Sequence, residues 1–164
     1  MVRFFLKFIV IQFTLFFLYV TDVVQHYAVV PFTAKIASLS AWLIMFFDKD
    51  VISEGVVIRD LGDGFAVAIH AGCNGVEPII VLVAALIAFP SPWKVKLGGM
   101  LIGSLAVQLL NLIRVISLFY LGQWNIKVFE WAHLYLWQAL IMLDVLIIFL
   151  IWLRWLPTTD SRGA

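Results

Sequence analysis

The 164-residue sequence contains few charged residues and only one cysteine. Charged side chains make up 13% of the chain, about half of the roughly 25% that is typical of soluble domains, whereas 64% of the residues are hydrophobic. This balance excludes a soluble globular protein. The formal net charge is +1 and the basic residues are scattered, so we do not expect a nucleic acid as a partner. We expect the lipid bilayer to surround the chain.

The single cysteine, Cys73, excludes an internal disulfide. It also excludes any metal site that needs two or more thiolates from one chain. We therefore expect neither a metal ion nor another cofactor. Any chemistry of Cys73 is that of a lone thiol.

Four apolar stretches are long enough to cross the membrane, which takes about 20 residues at a helical rise of about 1.5 Å. They cover about residues 4–20, 74–89, 97–121 and 131–153. The first follows Arg3 and Lys7 as a signal peptide would, but no small-x-small cleavage site precedes Asp22. We interpret it as an uncleaved anchor. Pro90 and Pro92 end the second stretch, because proline cannot continue a helix.

The basic residues predict the orientation, because Lys and Arg are retained on the cytoplasmic side. With both termini and the loop at residues 90–96 inside, the cytoplasmic bases are Arg3, Lys7, Lys94, Lys96, Arg154 and Arg162. Most acidic residues then lie outside. A multi-pass protein with both termini in the cytoplasm follows.

Residues 21–73 form the predicted external region. Within it, residues 29–47 carry apolar side chains at helical spacing and polar residues on the other face, which favours a helix lying in the outer interface. A re-entrant helix is the alternative. Short β-branched runs in residues 51–70 flank Leu61-Gly62-Asp63-Gly64 and predict an external β-hairpin.

No repeat, low-complexity run or linker divides the chain. We therefore expect residues 1–164 to form a single integral-membrane domain. Its predicted fold class is all-α, with four transmembrane helices, one external interfacial helix and a short β-hairpin.

Counting residues along the predicted helices gives the depth of three reactive side chains. Cys73 immediately precedes the second helix, at its outer end. Arg114 lies 17 residues beyond Leu97, about 26 Å above the cytoplasmic start of its helix. His133 lies 20 residues before Leu153, about 30 Å above the cytoplasmic end of the last helix. The sequence predicts that Cys73, Arg114 and His133 share one outer layer.

The last two predicted helices each carry a polar stripe. One comprises Ser104, Gln108, Asn111 and Arg114, and the other comprises His133, Trp137 and Asp144. We expect the two stripes to face one another, because neither should face lipid. Gln108 and Asp144 are expected to be structural polar residues, with Asp144 making a hydrogen bond at about the level of Gln108.

The residues around Cys73 are typical of a helix start. Asn74 and Glu77 hold the N-cap and N3 positions of a capping-box-like pattern, so Cys73 should lie against free helix amides. That placement is expected to lower the pKa of the thiol from about 8.5 towards neutrality, with Glu77 opposing the effect. His70 is a spare base close to Cys73.

Each of the three reactive residues also has a purely structural interpretation. Cys73 would be an inert small hydrophobe, Arg114 a cation that extends its charge to the headgroups, and His133 an interfacial histidine. Their predicted convergence favours a reactive site.

Three segments occur in a characteristic order: Ala71-Gly72-Cys73-Asn74-Gly75, then Asn111-Leu112-Ile113-Arg114, then His133. As an ordered set they resemble the exosortase/archaeosortase family of integral-membrane cysteine transpeptidases, over about residues 51–155. The short chain, with residues 89–94 and 130–138, is most similar to the exosortase H branch. Asn74 stands where many members have Ser, and the many-helix N-terminal part of longer relatives is missing.

The resemblance implies an enzyme of the bacterial cytoplasmic (inner) membrane with its active site at the outer face. Its partners would be exported proteins that end in a short motif, a membrane helix and a basic tail. For the H branch the expected motif is of the IPTL-x-x-WG kind. Cys73 would be the nucleophile, Arg114 would stabilise the oxyanion or the thiolate, His133 would be the general acid and base, and Asn111 would orient either group.

Two other classes of function remain open from the residues alone. A different thiol-dependent membrane enzyme, such as a lipid acyltransferase, would use the same nucleophile without a peptide groove. A non-enzymatic membrane subunit would not need Cys73 at all.

Overall fold

The structure is a computed structural model that describes residues 2–156. Five helices and one small sheet account for most of these residues. The helices are α1 (Val2–Val20), α2 (Asp22–Ile44), α3 (Val76–Ala88), α4 (Trp93–Trp124) and α5 (Ile126–Arg154). The strands are β1 (Val51–Glu54), β2 (Val57–Asp60) and β3 (Ala66–Ala68).

Four helices, α1, α2, α4 and α5, are long and apolar enough to cross a membrane. The number agrees with the prediction, but the set differs. The predicted span over residues 74–89 is the shorter helix α3, which has 13 residues and a length of about 20 Å. Residues 29–47 fall largely within α2, which qualifies as a span by length and composition.

Helix α2 packs on both the helix bundle and the sheet. Its Thr33 accepts a hydrogen bond from Asn74, immediately before α3. Its C-terminal Ile44 is fully buried in one apolar cluster with Val51 and Ile58 of the sheet. The second half of α2 therefore covers the sheet, and its placement in the outer interface stays a prediction.

Aromatic contacts bring four chain segments together at one end of the bundle. Phe89, immediately after α3, packs edge-on against Phe4 of α1 at 6.0 Å and against Trp152 of α5 at 5.7 Å between ring centroids. The indole Nε1 of Trp152 donates to the carbonyl of Val95 near the start of α4, at 3.1 Å. Adjacent in sequence are five bases predicted to be cytoplasmic, Arg3, Lys7, Lys94, Lys96 and Arg154. Arg162 lies outside the described residues.

The sheet is antiparallel, in the order β1-β2-β3. A two-stranded hairpin was predicted, and the structure adds a strand because Gly55, with φ of +59°, permits a tight turn between β1 and β2. The sheet is fixed to α4 by Gln123, whose Nε2 donates to Asp60 Oδ2 at 2.7 Å. Strand β3 is left as an edge.

Candidate active site

Cys73 lies in the loop between the sheet and α3. Its backbone N–H donates to the carbonyl of His70 at 2.9 Å, which closes a turn. Gly72 and Gly75 flank it with φ of +88° and +77°, in the left-handed region that favours glycine. The loop thus holds the thiol at the end of the bundle opposite Phe89.

Arg114 and His133 both contact the Cys73 sulfur. Sγ lies 3.0 Å from His133 Nε2, and Arg114 Nη2 donates to the same sulfur at 3.4 Å. Arg114 Nη1 donates to the carbonyl of Gly72 at 3.4 Å. Arg114 is only 2% exposed, and Cys73 is half-buried. The structure therefore places a thiol, an imidazole and a guanidinium group in direct contact.

His133 lies in a five-residue π-helical segment of α5, Ala132–Leu136. Its ring stacks on that of Phe129, with centroids 5.7 Å apart and planes 12° apart. Such segments change which face of a helix a side chain occupies and are frequent at functional sites. Here the segment and the stacked ring orient the imidazole towards Cys73.

Glu77 secures the loop, although not through the expected capping box. The helix N-cap is Gly75, and Asn74 Oδ1 accepts from the N–H of Val76 at 3.1 Å. Glu77 Oε1 instead accepts from the N–H of Gly72 and from the hydroxyl of Tyr19, each at 2.6 Å. Sequence reasoning missed Tyr19, because a tyrosine near the end of an apolar helix is typical of an interfacial aromatic residue.

Asn74 links the loop to α2 and α4. Its side chain is fully buried and donates to Thr33 Oγ1 at 3.0 Å. Its carbonyl accepts from Gln108 Nε2 at 3.2 Å, and Gln108 Oε1 accepts from Asn111 Nδ2 at 3.5 Å. The polar residues Gln108, Asn111 and Arg114 of α4 therefore face this loop, and the two predicted stripes meet at the Cys73 sulfur, which Arg114 and His133 both contact.

The two remaining candidates are less engaged. His70 is exposed and lies beside Cys73 in the same cavity. Asp144 is half-buried, and within residues 2–156 its side chain makes no hydrogen bond. The structural hydrogen bond predicted for Asp144 is not observed.

A cavity of about 390 Å³ opens above the thiol. Strand β3 forms one wall, and Arg114 and His133 line it together with Cys73. The N–H of Asp60 donates to the carbonyl of Phe65, and the N–H of Ile69 donates to the carbonyl of Val56, which sets the alternation along the strand. Ala66 and Ala68 therefore direct their N–H and C=O groups away from β2, towards the open edge. The cavity thus combines the reactive thiol with an unpaired strand edge.

Residues 3–155 match the family model of the transmembrane exosortases, a range that contains all the helices and strands described above except the first residue of α1. The chain belongs to the exosortase family. No curated protein and no solved structure matches it. Because the match is to the family as a whole, the exosortase H branch stays a prediction.

Family membership and the four apolar helices make this exosortase an integral membrane protein. Among residues 2–156 there is no group of three or more His, Cys, Asp or Glu side chains that could hold a metal ion.

The pKa of the Cys73 thiol in the exosortase is raised, opposite to the expected direction. Burial is the main cause, because it penalises the charged thiolate. The Arg114 charge lowers this pKa and the Glu77 charge raises it, but burial outweighs the cation. The raised pKa favours the neutral thiol, whose sulfur lies 3.0 Å from His133 Nε2.

Alkylation of the exosortase tests this pKa directly, because Cys73 is its only cysteine. We expect the rate of labelling by iodoacetamide to rise with pH through a midpoint above about 8.5, the ordinary value for a thiol. Intact-mass spectrometry at a series of pH values measures it. Cys73→Ala must take up no label, and a midpoint below the ordinary value contradicts the prediction.

The loop conformation of the exosortase depends on Gly75. A Cβ at this position would lie 2.7 Å from Gln108 Nε2 and 3.1 Å from Asn111 Cγ, in addition to the positive φ. Gly75→Ala is therefore expected to lower the free energy of unfolding by about 2–5 kcal/mol, from backbone strain and overpacking together. Denaturant unfolding of the purified protein measures the loss.

Gly64→Ala is the matched control, since Gly64 has the same φ of +77° but no neighbouring atom within 4 Å of the added Cβ. The stability lost in Gly64→Ala therefore measures the cost of the positive φ alone, about 1–2 kcal/mol. Equal losses from the two variants would show that close packing of the loop against α4 contributes nothing.

Proposed function

We propose that this exosortase is a cysteine transpeptidase that removes the C-terminal sorting tail of exported proteins through a thioacyl-enzyme intermediate. The observation that carries the proposal is the contact of Cys73 Sγ with His133 Nε2 at 3.0 Å and with Arg114 Nη2 at 3.4 Å. A nucleophile, a base and a fixed cation within one cavity are the groups that acyl transfer requires.

In the first half-reaction, His133 takes the proton of the Cys73 thiol, and the thiolate attacks the scissile carbonyl carbon. The carbonyl oxygen becomes an oxyanion close to Arg114, because the guanidinium already lies on the attacking sulfur. The C–N bond then breaks, and His133 gives its proton to the leaving amine. The tail departs with a new amino terminus, and the rest of the substrate remains as a thioester of Cys73.

In the second half-reaction, an amine or water attacks the thioester. His133 takes the proton of this nucleophile, the C–S bond breaks, and the Cys73 sulfur leaves. The imidazole then returns the proton to the Cys73 sulfur, so both groups regain their starting protonation states. Arg114 stabilises both oxyanions, and its partners Gly72 C=O and Cys73 Sγ are not ionised acids that would neutralise its charge.

The open edge of β3 supports a peptide substrate. An extended motif that pairs with the backbone groups of Ala66 and Ala68 would add a fourth strand beside the thiol. A lipid acyltransferase has no use for such an edge. This feature favours the peptidase over the acyltransferase.

The charge distribution supports an active site at the outer face of the bacterial inner membrane, with both termini in the cytoplasm. Five of the bases adjoin the Phe89 end of the bundle, whereas Arg114 lies 19 residues along α4 from Val95, about 28 Å away. This distance is close to the thickness of the hydrocarbon core, about 30 Å.

The proposal is tested with two reporter proteins that are co-expressed with the wild-type enzyme. One ends in an IPTL-x-x-WG motif, an apolar helix and a basic tail, and the other carries the same tail with the motif scrambled. We expect intact-mass analysis to show tail removal from the first reporter alone. Hydroxylamine added to membranes should capture the thioester, leaving a hydroxamate at the new C-terminus. Processing of neither reporter, or of both equally, would contradict the proposal.

Arg114→Lys is expected to slow tail removal by about 10- to 100-fold. Lysine keeps the positive charge but loses the planar fork that bridges Cys73 Sγ and the Gly72 carbonyl. Reporter processing over time measures the rate. Arg154→Lys, an exposed base at the opposite end of the bundle, is the control. Equal rates in the two variants would show that the fork has no role.

A further inference from the structure

A second cavity, a groove of about 600 Å³, lies between α1 and α5 with α3 as its floor. At one end it is lined by Gly72, Glu77 and Gln138, and at the other by Phe4 and Phe149. Apart from the first group its lining is apolar. The groove therefore runs from the loop of Cys73 towards the opposite end of the bundle.

The groove and the cavity at Cys73 both adjoin the loop that carries this residue. Gly72 lines the groove, and Cys73, the next residue, lines the cavity beneath β3. A polypeptide that extends from the cavity to the groove would therefore cross this loop beside the thiol. This proximity matches a substrate that is cut between an extended motif and a membrane helix.

The end of the groove near the loop has an unused hydrogen-bond acceptor. Glu77 Oε1 is engaged by Tyr19 and Gly72, but Oε2 is buried and has no partner among the residues that the structure describes. A helix N-terminus has free N–H donors and a partial positive charge. It therefore complements Glu77, whereas the phosphate of a lipid headgroup at this level would be repelled.

We propose that this groove binds the apolar membrane helix of the sorting tail, with the helix N-terminus at Glu77. The inference rests on the proposed function, because it assigns a binding site to the membrane helix of the same substrate. The N-terminus of the tail helix follows the external motif in sequence and so lies at the level of the active site.

The dimensions and exposure of the groove fit this occupant. From Gln138 to Phe149 the wall formed by α5 rises about 16 Å, or about three turns of a bound helix. Met142 in this wall is 64% exposed, so a large apolar surface is available for contact. Helices pack in membranes through such close van der Waals contact.

Disulfide cross-linking tests the groove without requiring catalysis. In a Cys73→Ser background, which removes the only native cysteine, Met142→Cys is combined with a reporter that has one cysteine in the middle of its apolar helix. Leu109→Cys is the matched control. Leu109 is 55% exposed on α4 and lies outside the groove. It is at the depth of Met142, because α4 and α5 run antiparallel in a register that places Gly99 opposite Trp152 and Gly103 opposite Ile148.

We expect oxidation to cross-link the reporter to Met142→Cys at least tenfold more than to Leu109→Cys. Equal cross-linking, or cross-linking to Leu109→Cys alone, would overturn the proposal. If a lipid occupies the groove instead, we expect equal cross-linking to the two cysteines or no cross-link to either. Both results overturn the proposal.

Substitutions that keep Cys73 separate this inference from the proposed function. Met142→Trp fills the groove and is expected to slow tail removal at least tenfold, whereas Leu109→Trp leaves it unchanged. If the wild type processes the reporter and Met142→Trp, with a normal unfolding transition, processes it equally fast, the groove assignment is wrong and the transpeptidase proposal stands. If the wild type processes no reporter, the proposed function fails, and cross-linking still decides whether the helix binds.

Discussion

Cys73→Ser is expected to slow tail removal at least a thousandfold, to a level indistinguishable from that of membranes lacking the enzyme. The Cys73 Sγ contacts both His133 and Arg114, and burial raises the pKa of the thiol, so we expect its attack to depend on a base. A serine hydroxyl is a far weaker acid than a thiol, so the same imidazole deprotonates it much less readily. Reporter mass over time measures the rate.

The near-equal size of serine and cysteine makes this substitution a clean test. We expect the unfolding transition of Cys73→Ser to match that of the wild type, because serine can still hydrogen-bond to His133. A folded Cys73→Ser enzyme that processes the reporter within tenfold of the wild type would refute cysteine catalysis and favour the non-enzymatic subunit.

His133→Ala is expected to slow tail removal by about 10²–10⁴-fold at neutral pH. Without the imidazole, attack on the substrate depends on the small fraction of Cys73 that is already thiolate through proton exchange with water. Because burial raises the pKa of this thiol, that fraction grows about tenfold per pH unit up to the raised pKa. The residual rate of His133→Ala should therefore rise with pH more steeply than the wild-type rate, measured from pH 6 to 9.

Two other histidine variants control for loss of a histidine in general. His26→Ala, exposed on α2, should leave processing unchanged. His70→Ala distinguishes between the two imidazoles near Cys73: a larger loss than in His133→Ala would make His70 the base and contradict the assignment.

Three of the long helices were predictable, whereas the length of α2 and the ends of the short elements were not. Helices α1, α4 and α5 correspond to long apolar runs, whose burial in lipid overrides local detail. The apolar run at residues 74–89 gave no sign that its helix begins only at Val76, because a backbone angle at Gly75 sets that start. The strand pair β1 and β2 depended in the same way on Gly55.

The layer of the site was predictable from helix rise, but its contacts were not. Counting along two helices brought Arg114 and His133 to one depth. The hydrogen bond from Tyr19 to Glu77 joins residues 58 positions apart, and the π-helical segment around His133 depends on tertiary packing. The direction of the Cys73 pKa was missed because burial of the loop, which no local pattern reports, outweighs the effect of the cation.

Helix α4 fixes the distance between Arg114 and the sheet. This continuous helix of 32 residues carries Arg114 and, about two turns later, Gly122 and Gln123. Gly122 packs against Phe65, which precedes β3, and Gln123 binds Asp60 of β2. The sheet and the Arg114 guanidinium are consequently attached to the same helix. In the proposed transpeptidase, backbone geometry would therefore set the spacing between a motif paired with β3 and the peptide bond at the sulfur. The cleavage position would then be measured from the motif rather than chosen by the residues at the scissile bond.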